Sequence, residues 1–165
     1  MKKQSFLSKL KEDGKLELVE ASEEICSSYL EKADNCLKSA KILLKNELYE
    51  NSISMSYYAM YNSLTALLFK TGIKCENHSA SILLLKKVFN KIDLFKKISS
   101  TKEERIDKQY YLTSKENLEL TKESTKDMIN EAENFLIQIK LFINKLCIEE
   151  IENIRKRFKS LVPPI

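Results

Sequence analysis

Turn-forming residues are scarce in this chain. There are two glycines and two prolines in 165 residues, and both prolines stand at the end, at Pro163 and Pro164. A sheet protein needs Gly, Asn and Pro at many tight turns, so this scarcity argues against one. Two glycines also leave no Walker loop and no dinucleotide-binding glycine pattern. The single histidine, His78, completes neither a Cys2His2 zinc set nor the paired Glu-x-x-His motifs of a dimetal bundle. No nucleophile-elbow sequence points to a Ser–His–Asp triad. The cysteines Cys26, Cys36, Cys75 and Cys147 are scattered without a CxxC pair, so free and mostly buried thiols in a reducing compartment are expected. No apolar run approaches membrane-spanning length, and the basic N-terminus lacks the apolar stretch of a signal peptide. A soluble cytoplasmic chain with no metal and no cofactor is the expectation.

What is abundant is Leu, Lys, Glu, Ile and Ala in long runs, which favour helix. The length fits one domain, residues 1–165, able to bury a core without disulfide or metal support. The net charge of +4 and pI near 8.7 permit an RNA or other anionic partner without demanding one. Because the charges are mixed along the chain, solvated helix faces explain most of them.

Periodicity divides the chain into helices. Residues 1–15 are expected to form a loose arm ending near Gly14. Leu30, Ala33, Leu37, Ala40 and Leu44 alternate steps of three and four, which predicts a first long helix over about 18–47, followed by a turn at 46–51. A second helix over about 51–71 has no charged residue between Ser52 and Phe69, so it is expected to be the central, most buried one. Gly72 supplies the left-handed residue that commonly ends a helix. A third helix runs from near Ser79 to about Lys91, and residues 92–101 form a connection with a short turn at Leu94–Phe95. Thr101 and Glu104 match a capping box, so a fourth helix is expected to start there. Residues 113–119 are polar and predict a loop. Met128, Ala132, Phe135, Ile139, Phe142 and Leu146 mark the last helix, with a bend or change of packing partner near Cys147 and a C-terminal extension over 147–165. The expected fold is all-α, an up-and-down bundle of four to five helices.

The chain resembles the HEPN domain family in four parts that occur in order. These are KADNCLKSAKIL from Lys32; the SYYAMYNSLTALL helix from Ser56 to Leu68; the turn with Gly72, Ile73, His78 and Ser79; and Arg105 followed five residues later by Tyr110. The resemblance covers roughly residues 25–145. It implies a helical bundle that pairs as a homodimer. It also implies a role with RNA or nucleotides, either as a metal-independent ribonuclease of toxin–antitoxin or defence systems, or as the partner of a minimal nucleotidyltransferase. In active relatives an Arg and a His four to six residues apart serve the chemistry, and the RNA's 2′-hydroxyl is the nucleophile. Here the run that starts at Arg105, RIDKQYYL, contains no histidine. A tyrosine does not replace it as a base near neutral pH. An enzyme reading therefore falls on His78 with Arg105. Ligand contact falls on Arg105, Gln109, Tyr110 and Tyr61. Without either activity, the chain would be a dimerisation or assembly scaffold.

Each candidate also has a plainer reading. His78 is a proton-transfer or phosphate group, or it hydrogen-bonds its own turn. Arg105 holds a phosphate, or it pairs with a carboxylate such as Glu104 or Asp107. Tyr110 and Tyr111 stack on a base, or pack in a core or interface. Tyr57, Tyr58 and Tyr61 sit on an apolar helix where core packing is favoured, with each hydroxyl finding one partner. Arg155, Lys156, Arg157 and Lys159 complement the dipole of the last helix in preference to touching RNA.

Overall fold

The computed structural model describes residues 6–110 and 121–163, with side chains throughout except at 106–110. The elements are α1 (Phe6–Glu12), β1 (Leu16–Leu18), α2 (Glu23–Lys45), α3 (Tyr49–Lys70), β2 (Ile73–Cys75), α4 (His78–Lys87), α5 (Ile92–Tyr110), α6 (Lys122–Lys145) and α7 (Ile148–Leu161). The all-α reading holds. The long helices α2, α3, α5 and α6 make the bundle, and α3 packs against the other three. Contacts fix the directions. Tyr29 stacks on Phe69, and Ser52 Oγ donates to the Ala40 carbonyl at 2.8 Å, so α2 and α3 run antiparallel. Lys41 meets Glu133 and Lys140 meets Asp34, so α2 and α6 also run antiparallel.

The composition of α3 explains its central place. Ala59, Ala66, Ser52, Ser56 and Ser63 are fully buried, and such small side chains let neighbouring helices approach closely. The buried hydroxyls are satisfied by carbonyls, Ser56 by Ser52 and Ser63 by Met60. Tyr57, Met60, Leu64, Leu67 and Leu68 fill the core around them, against Phe135, Ile139 and Phe158.

Several expectations are corrected. The loose arm of residues 1–15 is a helix over Phe6–Glu12, held by buried Leu7 and Leu10. Lys11 Nζ ties it to the carbonyls of Val162 and Pro163. A two-stranded antiparallel ribbon, Leu16 opposite Cys75 and Leu18 opposite Ile73, follows it. The connection expected at 92–101 is helical, because α5 begins at Ile92. Leu94, Ile98 and Thr101 are buried at helical spacing, and Thr101 Oγ1 donates to the Lys97 carbonyl inside the helix instead of capping a new one. The capping box of the last long helix lies at Thr121 and Ser124. The expected break near Cys147 is present: α6 ends at Lys145, and α7 packs Ile154 and Phe158 into the same core. The loop expected at 113–119 lies outside the described residues.

Arg155 has a different role from the helix-dipole one expected of it. From α7 its Nη1 donates to the carbonyls of Val19, Thr71 and Gly72, each at 3.0 Å. It thus ties α7 to the backbone just beyond the end of α3 and to the chain after β1. Among the described residues no helix is long and apolar enough to cross a membrane.

A cationic and aromatic corner

The candidate site lies where α3, α4 and α5 meet. Asn77 caps α4, its side chain accepting from the Ala80 amide at 2.9 Å, and this fixes His78 as the first helical residue. His78 Nδ1 lies 2.9 Å from Tyr57 Oη, and its ring stacks on Tyr61 at 3.7 Å and 15°. From α5, the Arg105 guanidinium sits 4.9 Å from the centre of the Tyr57 ring and 5.3 Å from that of Tyr58. Such cation–π contacts are favourable, most of all when partly desolvated. One helical turn earlier, Lys102 Nζ donates to Ser79 Oγ at 2.6 Å. Two cations and an imidazole therefore converge over a floor of three tyrosines.

The electrostatics follow from that packing. Burial lowers the His78 pKa from its ordinary value, and the positive charges of Lys102 and Arg105 lower it further. The imidazole is therefore neutral at neutral pH. Burial pushes the Tyr57 phenol far above its usual range, and the nearby Arg105 charge only partly offsets this. Burial also raises Tyr61, opposed by the hydroxyls of Ser81 and Thr65. Both phenols stay protonated. The Tyr57–His78 contact serves either tautomer: with the proton on Nδ1, His78 donates to Tyr57 and Nε2 carries the lone pair. In the other tautomer the phenol donates and Nε2 carries the proton. Arg105 Nε is buried without a hydrogen-bond partner. Buried donors are nearly always paired, and an orphan costs about 1–3 kcal/mol.

A pH dependence follows. The unfolded chain protonates His78 near its ordinary value of about 6.5, whereas the folded corner resists the proton. The unfolded state then binds more protons, so this group's contribution falls as pH drops through about 6.5 towards the lower folded value. Urea unfolding between about pH 8 and pH 5 is expected to show a steeper acid loss for wild type than for His78→Gln. Equal slopes would contradict a depressed His78.

Of the residues singled out in the sequence, His78, Arg105 and Tyr61 are brought to this corner, with Tyr57 between His78 and Arg105. Gln109 and Tyr110 are in the last turn of α5, where the description of side chains stops, and Tyr111 lies outside the described residues. Lys102 escaped the sequence reading, although its place three residues before Arg105 puts both on one helix face. The four cysteines are free. Among the described residues no group of three or more His, Cys, Asp or Glu side chains could hold a metal ion.

The fold and this corner define a helical-bundle protein with a cationic site built on aromatic rings. The family model for the HEPN domain matches residues 26–141, and the chain belongs to that family. A relative from Thermotoga maritima named "UPF0332 protein" is 32% identical over 129 residues, covering 75% of this chain and 95% of the relative. One from Methanocaldococcus jannaschii named "Putative toxin MJ0605" is 30% identical over 120 residues, covering 71% of this chain and 87% of the relative. A second from that organism, "Putative toxin MJ0142", is 27% identical over 119 residues, covering 69% and 78%.

Proposed function

We propose that this chain is a nucleotide- or RNA-interacting HEPN domain of a toxin-like module. It works in the cytoplasm as a homodimer, with a minimal nucleotidyltransferase as its partner protein. The observation that carries the reading is the convergence of Arg105, Lys102 and His78 above Tyr57, Tyr58 and Tyr61. Cations attract phosphate, a guanidinium binds it bidentately, and tyrosine rings offer stacking faces to bases of any identity. Two relatives carrying the word toxin in their names support the setting. Calorimetric titration with UMP and with a uridine oligonucleotide tests it. Binding that weakens as salt rises and is weakened in Arg105→Met is expected. Wild-type protein that binds neither ligand would sink the reading.

A second reading, metal-independent RNA cleavage, is favoured by one feature. His78 is neutral and engages Tyr57 through Nδ1, which leaves Nε2 for substrate. In the Nδ1–H tautomer Nε2 takes the proton of a 2′-hydroxyl as O2′ bonds to phosphorus. The P–O5′ bond breaks, the 5′-oxygen takes a proton from solvent, and Arg105 balances the phosphate charge. Labelled RNA should then give fragments ending in a 2′,3′-cyclic phosphate. Cleavage that persists in both His78→Ala and Arg105→Ala would refute this reading.

A further inference from the structure

We infer that the bundle carries a second base-stacking subsite at Tyr29 and Lys32, so that the ligand is a single-stranded polynucleotide longer than one nucleotide; this rests on the nucleotide-binding reading of the Arg105–His78 corner. The two subsites lie along one ridge of α3. Tyr57, Tyr61, Thr65 and Phe69 follow one another at steps of four, which lines them up along the helix. Rings from two other elements lie on that ridge. His78 of α4 stacks on Tyr61, and Tyr29 of α2 lies parallel to Phe69, centroids 5.7 Å apart and planes within 9°. Tyr29, Tyr61 and Phe69 are all left partly exposed.

Each end of this ridge has its own cation. Arg105 and Lys102 serve the corner, and exposed Lys32 lies 4.5 Å from the centre of the Tyr29 ring. On the same helix Asp34 is paired with Lys140 and Glu23 with Lys70. Lys32 can swing off the ring to a phosphate and leave the face of Tyr29 to a base. Tyr61 and Phe69 are eight residues apart, about 12 Å along the helix. One nucleotide stacked at the corner does not span that distance, whereas a short single strand does. Repeated ring-plus-cation units along a groove are how sequence-tolerant single-strand binders hold successive bases.

The test compares UMP with hexauridylate and its deoxy counterpart, by calorimetry and anisotropy, on the full chain. Wild type is expected to bind at least one hexamer more tightly than UMP. The Tyr29→Leu/Lys32→Gln double variant should weaken hexamer binding about tenfold or more and leave UMP unchanged. Lys32→Gln alone alters only an exposed side chain, so it should fold normally and shift hexamer affinity in the same direction. Arg105→Met should weaken both ligands. Hexamer binding unchanged in the double variant, while Arg105→Met still loses UMP, would overturn the second subsite and leave the corner standing. Wild type that binds neither ligand would overturn both.

Discussion

Replacing Gly72 with alanine is expected to lower stability by about 2–5 kcal/mol, a fall in melting temperature on the order of 10 °C. Gly72 has φ +69, a left-handed conformation that costs an L-residue about 1–2 kcal/mol. A Cβ there would also collide with Arg155 Nη1 and come 2.5 Å from the Val19 carbonyl and 3.1 Å from the Ala21 amide. Two of those three atoms are backbone and cannot swing aside. The third belongs to the guanidinium that donates to the Val19, Thr71 and Gly72 carbonyls, so the methyl would displace the clamp joining α7 to the end of α3. Gly14 is the control. Its φ is +68, but no atom lies within 4 Å of the equivalent Cβ. Gly14→Ala should therefore cost only the conformational penalty. Thermal unfolding of both variants separates the terms, and equal losses would refute the collision argument.

That clamp also marks the limit of what the sequence carried. Gly72 was legible as a helix stop because a lone glycine after an apolar run is a local signal. Arg155 was not, because its three carbonyls are contributed by residues more than 80 positions away. Helices with sustained apolar steps, α2, α3 and α6, were legible for the same local reason. The strands were not, since three residues each, Leu16–Leu18 and Ile73–Cys75, are too short to show alternation. The arm expected before Gly14 proved to be α1 because Leu7 and Leu10 bury against the rest of the chain, a tertiary gain that periodicity over seven residues does not reveal. Thr101 misled because Thr-x-x-Glu fits the interior of α5 as well as a helix start. Only the burial of Leu94 and Ile98 before it decides between them.

At the corner, residue type was informative and partnership was not. A lone histidine and an arginine stood out, but nothing local says that Tyr57, 21 positions before His78, bonds its ring. Tyr57 is fully buried, as core packing requires, and its hydroxyl does find one partner; that partner happens to be the chain's one imidazole. Core and site thus share a residue, because α3 is both the centre of the bundle and the floor of the corner. Lys102 could have been found by asking which cation shares a helix face with Arg105.

Arg105→Met is expected to weaken binding of a phosphate-bearing ligand about 10- to 100-fold or more, while the melting temperature stays level or rises. The two effects come from the same guanidinium. Hydrogen bonds to charged groups contribute about 1.5–3 kcal/mol, and a bidentate phosphate contact supplies two of them. In the free protein, however, Arg105 keeps a buried Nε with no acceptor, beside the positive charge of Lys102 and a histidine that the two cations help hold neutral. The contacts with Tyr57 and Tyr58 recover part of that cost. Methionine keeps much of the stem's packing on those rings and has no donor to bury. Losing Lys102 as well should remove a further share of binding and let the His78 pKa climb back towards its ordinary value, which NMR titration of the single histidine would read directly. A residue kept for packing gives the opposite pattern, stability lost and binding indifferent. If Arg105→Met melts well below wild type and binds as wild type does, Arg105 is structural and the corner is not a phosphate site.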